Sequence, residues 1–331
     1  MNQDIAGTNG YLLKVENLKM YFPIKKGLLR RTVGFIKAID GISFGIKKGQ
    51  TLGLVGESGC GKTTVARSIV RLVPATEGKV VFDRTDVLQA DRVKLRELRK
   101  KISIIFQDPF GSLNPRMTVG NIIGEPLKIH KVTAGDELTE RVAGLLSKVG
   151  LSADHIDRYP HEFSGGQRQR IGIARALSLE PRLVICDEPV SALDVSIQSQ
   201  ILNLLKDLQE ELGPTFLFIA HDLAVVEFFC DVVAVMYMGK IVERASAEEL
   251  YRNALHPYTH ALMSAIPQVE PSLRGHRDAL GGEVPSALNP PSGCAFSPRC
   301  PLAEGDCLKQ EPALRERSDN KGHFVACWKC K

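Results

Sequence analysis

No run in the 331-residue chain approaches the roughly 18 apolar residues that a membrane span needs. The longest apolar stretches, such as Val232 to Met238, are strand-length. The opening residues MNQDIAGTNG have neither a basic stretch nor an apolar core, so no secretory signal is expected. Charge of one sign is also scarce. Against 38 Asp and Glu stand 43 Lys and Arg, and the net +5 is too mild to imply a nucleic-acid partner. Eight cysteines are far too few for a disulfide scaffold, and a chain of this length buries a core without one. A composition of 44% hydrophobic and 24% charged residues excludes disorder or a collagen-like state. There is no internal repeat and no long low-complexity tract. A cytosolic protein with reduced thiols is expected.

What is present alternates. The β-rich apolar runs are Thr51 to Val55, Ile102 to Phe106, Leu183 to Cys186 and Thr215 to Ala220. They are nearly continuous rather than alternating, as strands buried on both faces should be. Helical patterns lie between them, for example Val195 to Glu211. The fold class expected is α/β, with a mostly parallel sheet. Residues 108–175 read as a helical insert. The basic segment 23–37, PIKKGLLRRTVGFIK, is expected to be a solvated hairpin, with a lipid-surface contact as the other reading. After about residue 240 proline becomes frequent and the alternation stops. A nucleotide-binding domain at 1–240 and a second region at 241–331 are therefore expected.

Gly56 to Thr63 reads GESGCGKT, which fits G-x-x-x-x-G-K-[ST] between an apolar strand and a helical pattern opening at Thr64. Gly56, Gly59 and Gly61 let the backbone curl around Glu57, Ser58 and Cys60. Successive N–H groups can then face phosphate oxygens at a helix N-terminus. Lys62 brings a point charge to the β- and γ-phosphates, and the Thr63 hydroxyl suits Mg²⁺. Cys60 lies within this loop, where a thiol reagent would act on turnover. Arg182 to Glu188, RLVICDE, is a buried strand ending in two carboxylates. Asp187 is placed to hold Mg²⁺, and Glu188 to polarise an attacking water. Cys60, Cys186 and Cys230 read as structural.

The segment FSGGQRQRIGIARAL places Ser164, Gly165, Gly166 and Gln167 before a helix. An ordinary N-cap is one reading and a second anion site is the other. With this segment the chain resembles the ATP-binding cassette ATPases over at least residues 11–250. The resemblance implies an antiparallel β subdomain and a helical subdomain flanking the core. It implies that Ser164, Gly166 and Gln167 act on the nucleotide of a partner ATPase, so a dimer is expected. Gln107 would contact Mg²⁺ and the water, and His221 would hold the γ-phosphate. Ser191 to Asp194 would form the loop that crosses to the partner. Phe22 would stack on adenine, with Tyr21 as the alternative.

The segments GSLNPR (Gly111 to Arg116), YPHEFSGGQRQR (Tyr159 to Arg170), DEPVSALD (Asp187 to Asp194) and HPYTHAL (His256 to Leu262) are similar to those of peptide-importer ATPases. The likeness to the second ATPase subunit of dipeptide and oligopeptide importers runs essentially the whole length. Nickel importers share much of this pattern. The resemblance implies a place on the cytoplasmic face of the membrane. The partners implied are a second ATPase, two permease subunits and an extracytoplasmic peptide-binding protein. It also associates Cys294, Cys300, Cys307 and Cys327 with a [4Fe–4S] cluster. Zinc and free thiols are the other readings, and Cys330 is an alternative fourth ligand. The remaining functional rivals are a soluble ATP-driven regulatory factor and a metal sensor with a degenerate cassette.

Overall fold

The computed structural model describes residues 10–27, 31–264, 285–288 and 290–330. They form two compact units, residues 1–89 with 220–331 and residues 90–219. Among the described residues no helix is long and apolar enough to cross a membrane.

The first unit opens with β1 (Tyr11–Lys26), β2 (Arg31–Lys47), β3 (Thr51–Val55), α1 (Lys62–Ile69), β4 (Glu77–Phe82) and β5 (Thr85–Asp86). Four of these build an antiparallel sheet in the order β2-β1-β4-β5. Leu13 sits opposite both Ile46 and Phe82 in this sheet, and all three are fully buried. Residues 23–26 and 31–37 of the basic segment lie at the far end of the β1–β2 ribbon, where Val33 and Phe35 are exposed.

The second unit runs through α2 (Arg92–Lys101), β6 (Ile102–Ile105), α3 (Val119–Ile129), α4 (Gly135–Lys148), α5 (Gly165–Leu177), β7 (Leu183–Asp187), α6 (Val195–Leu212) and β8 (Thr215–Ala220). Its strands β6, β7 and β8 are parallel neighbours. Every residue of β7 and β8 is buried, which explains their nearly continuous apolar sequences. Helices α3, α4 and α5 pack on one another. Gly213 ends α6 in the left-handed conformation, φ 67°, which a residue without Cβ adopts freely.

The chain then returns to the first unit with α7 (Leu223–Phe229), β9 (Val232–Tyr237), β10 (Lys240–Ser246), α8 (Ala247–Arg252), α9 (Pro257–Ser264), α10 (Gly305–Lys309), β11 (Arg315–Glu316) and β12 (Phe324–Val325). Here β3 and β9 are parallel, whereas β10, β12 and β11 continue antiparallel. This sheet is thus mixed. The C-terminal segment is fastened to this unit by a buried pair. His323 Nε2 lies 2.8 Å from Glu243 Oε1, with both side chains essentially inaccessible.

Candidate nucleotide site

In the first unit, β3 delivers the chain into the loop Gly56–Gly61, and α1 starts at Lys62. A Cβ on Gly56 would meet Met236 O at 2.1 Å. Gly61 has φ 109°, and a Cβ there would meet Ala38 O at 2.1 Å. Gly59 also has positive φ, 82°. These glycines are therefore required by close backbone approach and by conformation. Lys62 is buried, and its Nζ donates to Gly56 O at 2.7 Å and Glu57 O at 3.0 Å. Helix α1 follows with its N-terminal end at the loop, the chemistry that holds phosphate. Thr63 and Thr64 are its next residues. Ser58 is exposed within the loop.

Cys60, read as structural, lies inside this loop. It is buried, and burial pushes its thiol above the ordinary range although Lys62 opposes this. A reagent should meet it slowly at neutral pH.

The loop is also gripped from the C-terminal region. Arg299 donates to both carboxylate oxygens of Glu57, at 2.7 and 2.9 Å. The backbone N–H of Glu57 donates to Tyr258 Oη at 2.8 Å. Nothing in the spacing of HPYTHAL or of the cysteines pointed to these contacts.

On β1 the Phe22 ring is exposed, while the Tyr21 hydroxyl is bonded to Asp40 and Lys37 lies over the Tyr21 ring. His221 follows β8 and is exposed.

The second unit brings another set together. Asp187 ends β7 and is buried, while Glu188 follows with φ 50°. Gln107 Nε2 donates to Glu188 Oε2 at 2.9 Å, so two residues 81 positions apart share one hydrogen bond. The Glu188 backbone is fixed by its N–H on Ile219 O at 3.0 Å and by Ser191 Oγ on its carbonyl at 3.1 Å. At the start of α5, Ser164 and Gln167 form a reciprocal capping box. The N-cap reading is therefore realised within the chain. Gly166 lets α5 approach α6, since a Cβ there would lie 2.6 Å from Ile197 Cγ2. Gly165 faces Leu193 with ordinary contact, 3.5 Å.

The four cysteines of the expected cluster, Cys294, Cys300, Cys307 and Cys327, line one cavity of about 10 Å³. Burial first, then the neighbouring thiols, push Cys294 up to about 11. Cys330 instead bonds to Leu255 O at 3.0 Å and to Cys327, whose thiol this lowers. Four thiols have the chemistry of an iron–sulfur or zinc site. The space is only about one water in size. Among the described residues no group of three or more His, Cys, Asp or Glu is arranged to hold a metal ion. The expected cluster is thus not supported by this arrangement.

Two family models match: ABC transporter over residues 39–191, and Oligopeptide/dipeptide transporter, C-terminal region over residues 242–307. The chain is 53% identical to the oligopeptide transport ATP-binding protein AppF of Bacillus subtilis (strain 168), across 97% of this chain and 98% of that protein. It is 52% identical to OppF of Salmonella typhimurium (strain LT2), an oligopeptide transport ATP-binding protein, over 96% of each chain. DppF of Haemophilus influenzae, a dipeptide transport ATP-binding protein, is 48% identical over 97% of each. Among solved structures, cbiO1 from Clostridium perfringens, part of an ABC transporter complex, aligns with TM-score 0.62 at 30% identity. That alignment covers 74% of this chain and 92% of cbiO1. The ATP-binding cassette MJ0796, a dimer bound to ADP and Pi, aligns with TM-score 0.63 at 30% identity, over 71% of this chain and 98% of that one. On these likenesses and intact nucleotide motifs, the chain belongs to the ABC transporter ATP-binding proteins of the oligopeptide and dipeptide transport family.

Proposed function

We propose that this chain hydrolyses ATP to power import of dipeptides or oligopeptides across the cytoplasmic membrane, on whose cytoplasmic face it docks. The observation that carries this is near-full-length likeness to peptide transport ATP-binding proteins with every nucleotide motif intact. Residues 1–240 would be the nucleotide-binding domain, with a helical subdomain at 108–175, and 241–331 the peptide-importer extension.

The residue roles follow the motifs. The Gly56–Thr64 loop binds the phosphates of ATP, with Lys62 as their cation. Thr63, Asp187 and Gln107 would hold Mg²⁺, their side chains offering the oxygen donors that such an ion takes. Mg²⁺ supplies neutralisation of charge developing on the phosphate oxygens. Glu188 acts as general base toward water and Gln107, bonded to it, orients that carboxylate. His221 steadies the γ-phosphate and Phe22 stacks on adenine. Ser164, Gly165, Gly166 and Gln167 engage the nucleotide of a second ATPase subunit. Positioning and charge stabilisation dominate such chemistry. Two permease subunits and an extracytoplasmic peptide-binding protein complete the assembly, and nucleic acid has no role.

Pull-down of the tagged chain from gently solubilised membranes tests this reading. Multi-span permeases and a second cassette ATPase are the expected partners. The recovered binding protein is then screened with peptides against nickel. Nickel binding without peptide binding would overturn the substrate. A purely soluble partner set would overturn transport.

A [4Fe–4S] cluster on Cys294, Cys300, Cys307 and Cys327 is a second proposal, resting on the ligand chemistry of four cysteines that line one cavity and not on their present arrangement. Insertion would require those side chains to spread. Anaerobic purification with iron and sulfide analysis tests it, and colourless protein containing zinc or no metal would overturn it.

A further inference from the structure

We infer that Tyr258 and Arg299 are positioning residues for nucleotide binding: the C-terminal region holds the phosphate loop in its binding shape through Glu57. This rests on the ATP-binding reading above and adds to it an anchor outside the loop.

The geometry is specific. Glu57 is the second residue of the loop, and it is held at both ends. Its carboxylate takes a two-pronged bond from Arg299, whose side chain is only 4% exposed. Its backbone N–H is taken by Tyr258 Oη, so that amide serves as an anchor. Tyr258 has no exposed surface, and burial first of all raises its hydroxyl, keeping it neutral. Three aromatic rings brace the two anchors. Tyr237, Tyr258 and Phe296 meet at centroid distances of 4.6, 5.3 and 5.4 Å, and Arg299 lies about the faces of Tyr237 and Phe296 at 5.9 and 6.0 Å. Phe296 and Arg299 belong to the segment between Cys294 and Cys300.

The physical consequence is pre-organisation. A loop with glycine at positions 56, 59 and 61 has much backbone freedom to lose when its amides converge on phosphate. Fixing its first turn beforehand removes part of that cost from binding, and affinity rises accordingly. Lys62, bonded to the carbonyls of Gly56 and Glu57, is carried by the same turn.

The test is MgADP binding to the full chain by titration calorimetry, with the unfolding midpoint of the nucleotide-free protein measured alongside. Tyr258→Phe deletes one hydroxyl and keeps the ring, and should weaken MgADP about fivefold, the worth of one buried hydrogen bond. Arg299→Met should weaken it about tenfold, as expected of a charged, two-pronged contact. Arg299→Lys keeps the charge without the fork and should fall between wild type and Arg299→Met. The double variant Tyr258→Phe/Arg299→Met should lose less than the product of the two, because both act through Glu57. Affinities within about twofold of wild type in both single variants would overturn the inference. So would a lowered midpoint with unchanged affinity, which marks a structural role only. Failure of the wild-type chain to bind MgADP would instead overturn the ATP-binding reading itself.

Discussion

Glu243→Ala should destabilise the protein by about 4 kcal/mol. Glu243 is wholly buried and accepts three bonds: from His323 Nε2 at 2.8 Å, Leu255 N at 2.7 Å and His256 N at 3.0 Å. Truncation strands two backbone N–H groups and a histidine. Each buried donor left unmet costs about 1–3 kcal/mol, and breaking a buried ion pair costs about 3–5 kcal/mol in all. Unfolding entropy of about 2.1 cal/mol/K per residue gives roughly 0.7 kcal/mol/K for a chain of 331 residues. A cooperative melt should therefore shift down by about 6 °C. Differential scanning calorimetry reads this directly. Glu243→Gln, which keeps an acceptor for one backbone amide, should lose less. The cycle with His323→Ala should be non-additive by at least about 1 kcal/mol. A shift below about 1 °C for Glu243→Ala would refute the reasoning, because it would mean that this cluster does not fasten the C-terminal segment.

The same pair sets a pH window. Burial opposes charge on His323, but its bonds to Glu243 and Glu249 win and raise its pKa. That contribution is complete below the ordinary histidine range and is lost as pH rises through the raised value. Burial likewise opposes charge on Glu243, but bonds from His323 and the His256 and Leu255 amides lower its pKa. Its contribution is complete above the ordinary glutamate range and is lost as pH falls through the lowered value. Melting midpoints across pH should therefore peak between the two and decline on both sides, and His323→Ala should abolish the alkaline decline. Gly56→Ala should abolish MgADP binding in a calorimetric titration, because its Cβ would lie 2.1 Å from Met236 O, a backbone atom that cannot rotate away. Gly166→Ala should lower stability by about 1–3 kcal/mol in chemical denaturation, because Ile197 Cγ2 stands 2.6 Å from the new methyl.

The legible parts of the fold are those where burial leaves a one-dimensional trace. Strands β3, β7 and β8 are buried along their whole lengths, so their sequences are nearly continuous apolar runs, with polar residues only at their ends. The helix expected at Val195 to Glu211 is α6, Val195–Leu212, and its buried residues Ile201, Leu202, Leu205 and Leu208 keep helical spacing. The ribbon β1–β2 was harder to read. Its bulges shift the register at several points, and half of its length is solvated, so no clean alternation survives. At the site, the phosphate loop is a local motif and announces itself. The Gln107–Glu188 bond joins residues that only the pairing of β6 with β7 makes neighbours. Arg299 and Tyr258 reach Glu57 from 242 and 201 positions away, and no periodicity encodes such a contact. The family resemblance, rather than any local pattern, implied a four-thiolate site at these cysteines. The folded chain brings the four thiols around one cavity, yet not into a metal-holding group.

The most direct test of the account is ATP turnover by the assembled transporter carrying Glu188→Gln in this chain. The substitution keeps the shape and a partner for Gln107 but removes the carboxylate proposed to accept the proton of the attacking water. General-base catalysis contributes about 10²–10⁴-fold. Turnover at the site built on this chain's P-loop should therefore fall by at least about a hundredfold while MgATP still binds. Turnover unchanged at that site, with the partner ATPase silenced, would contradict the account.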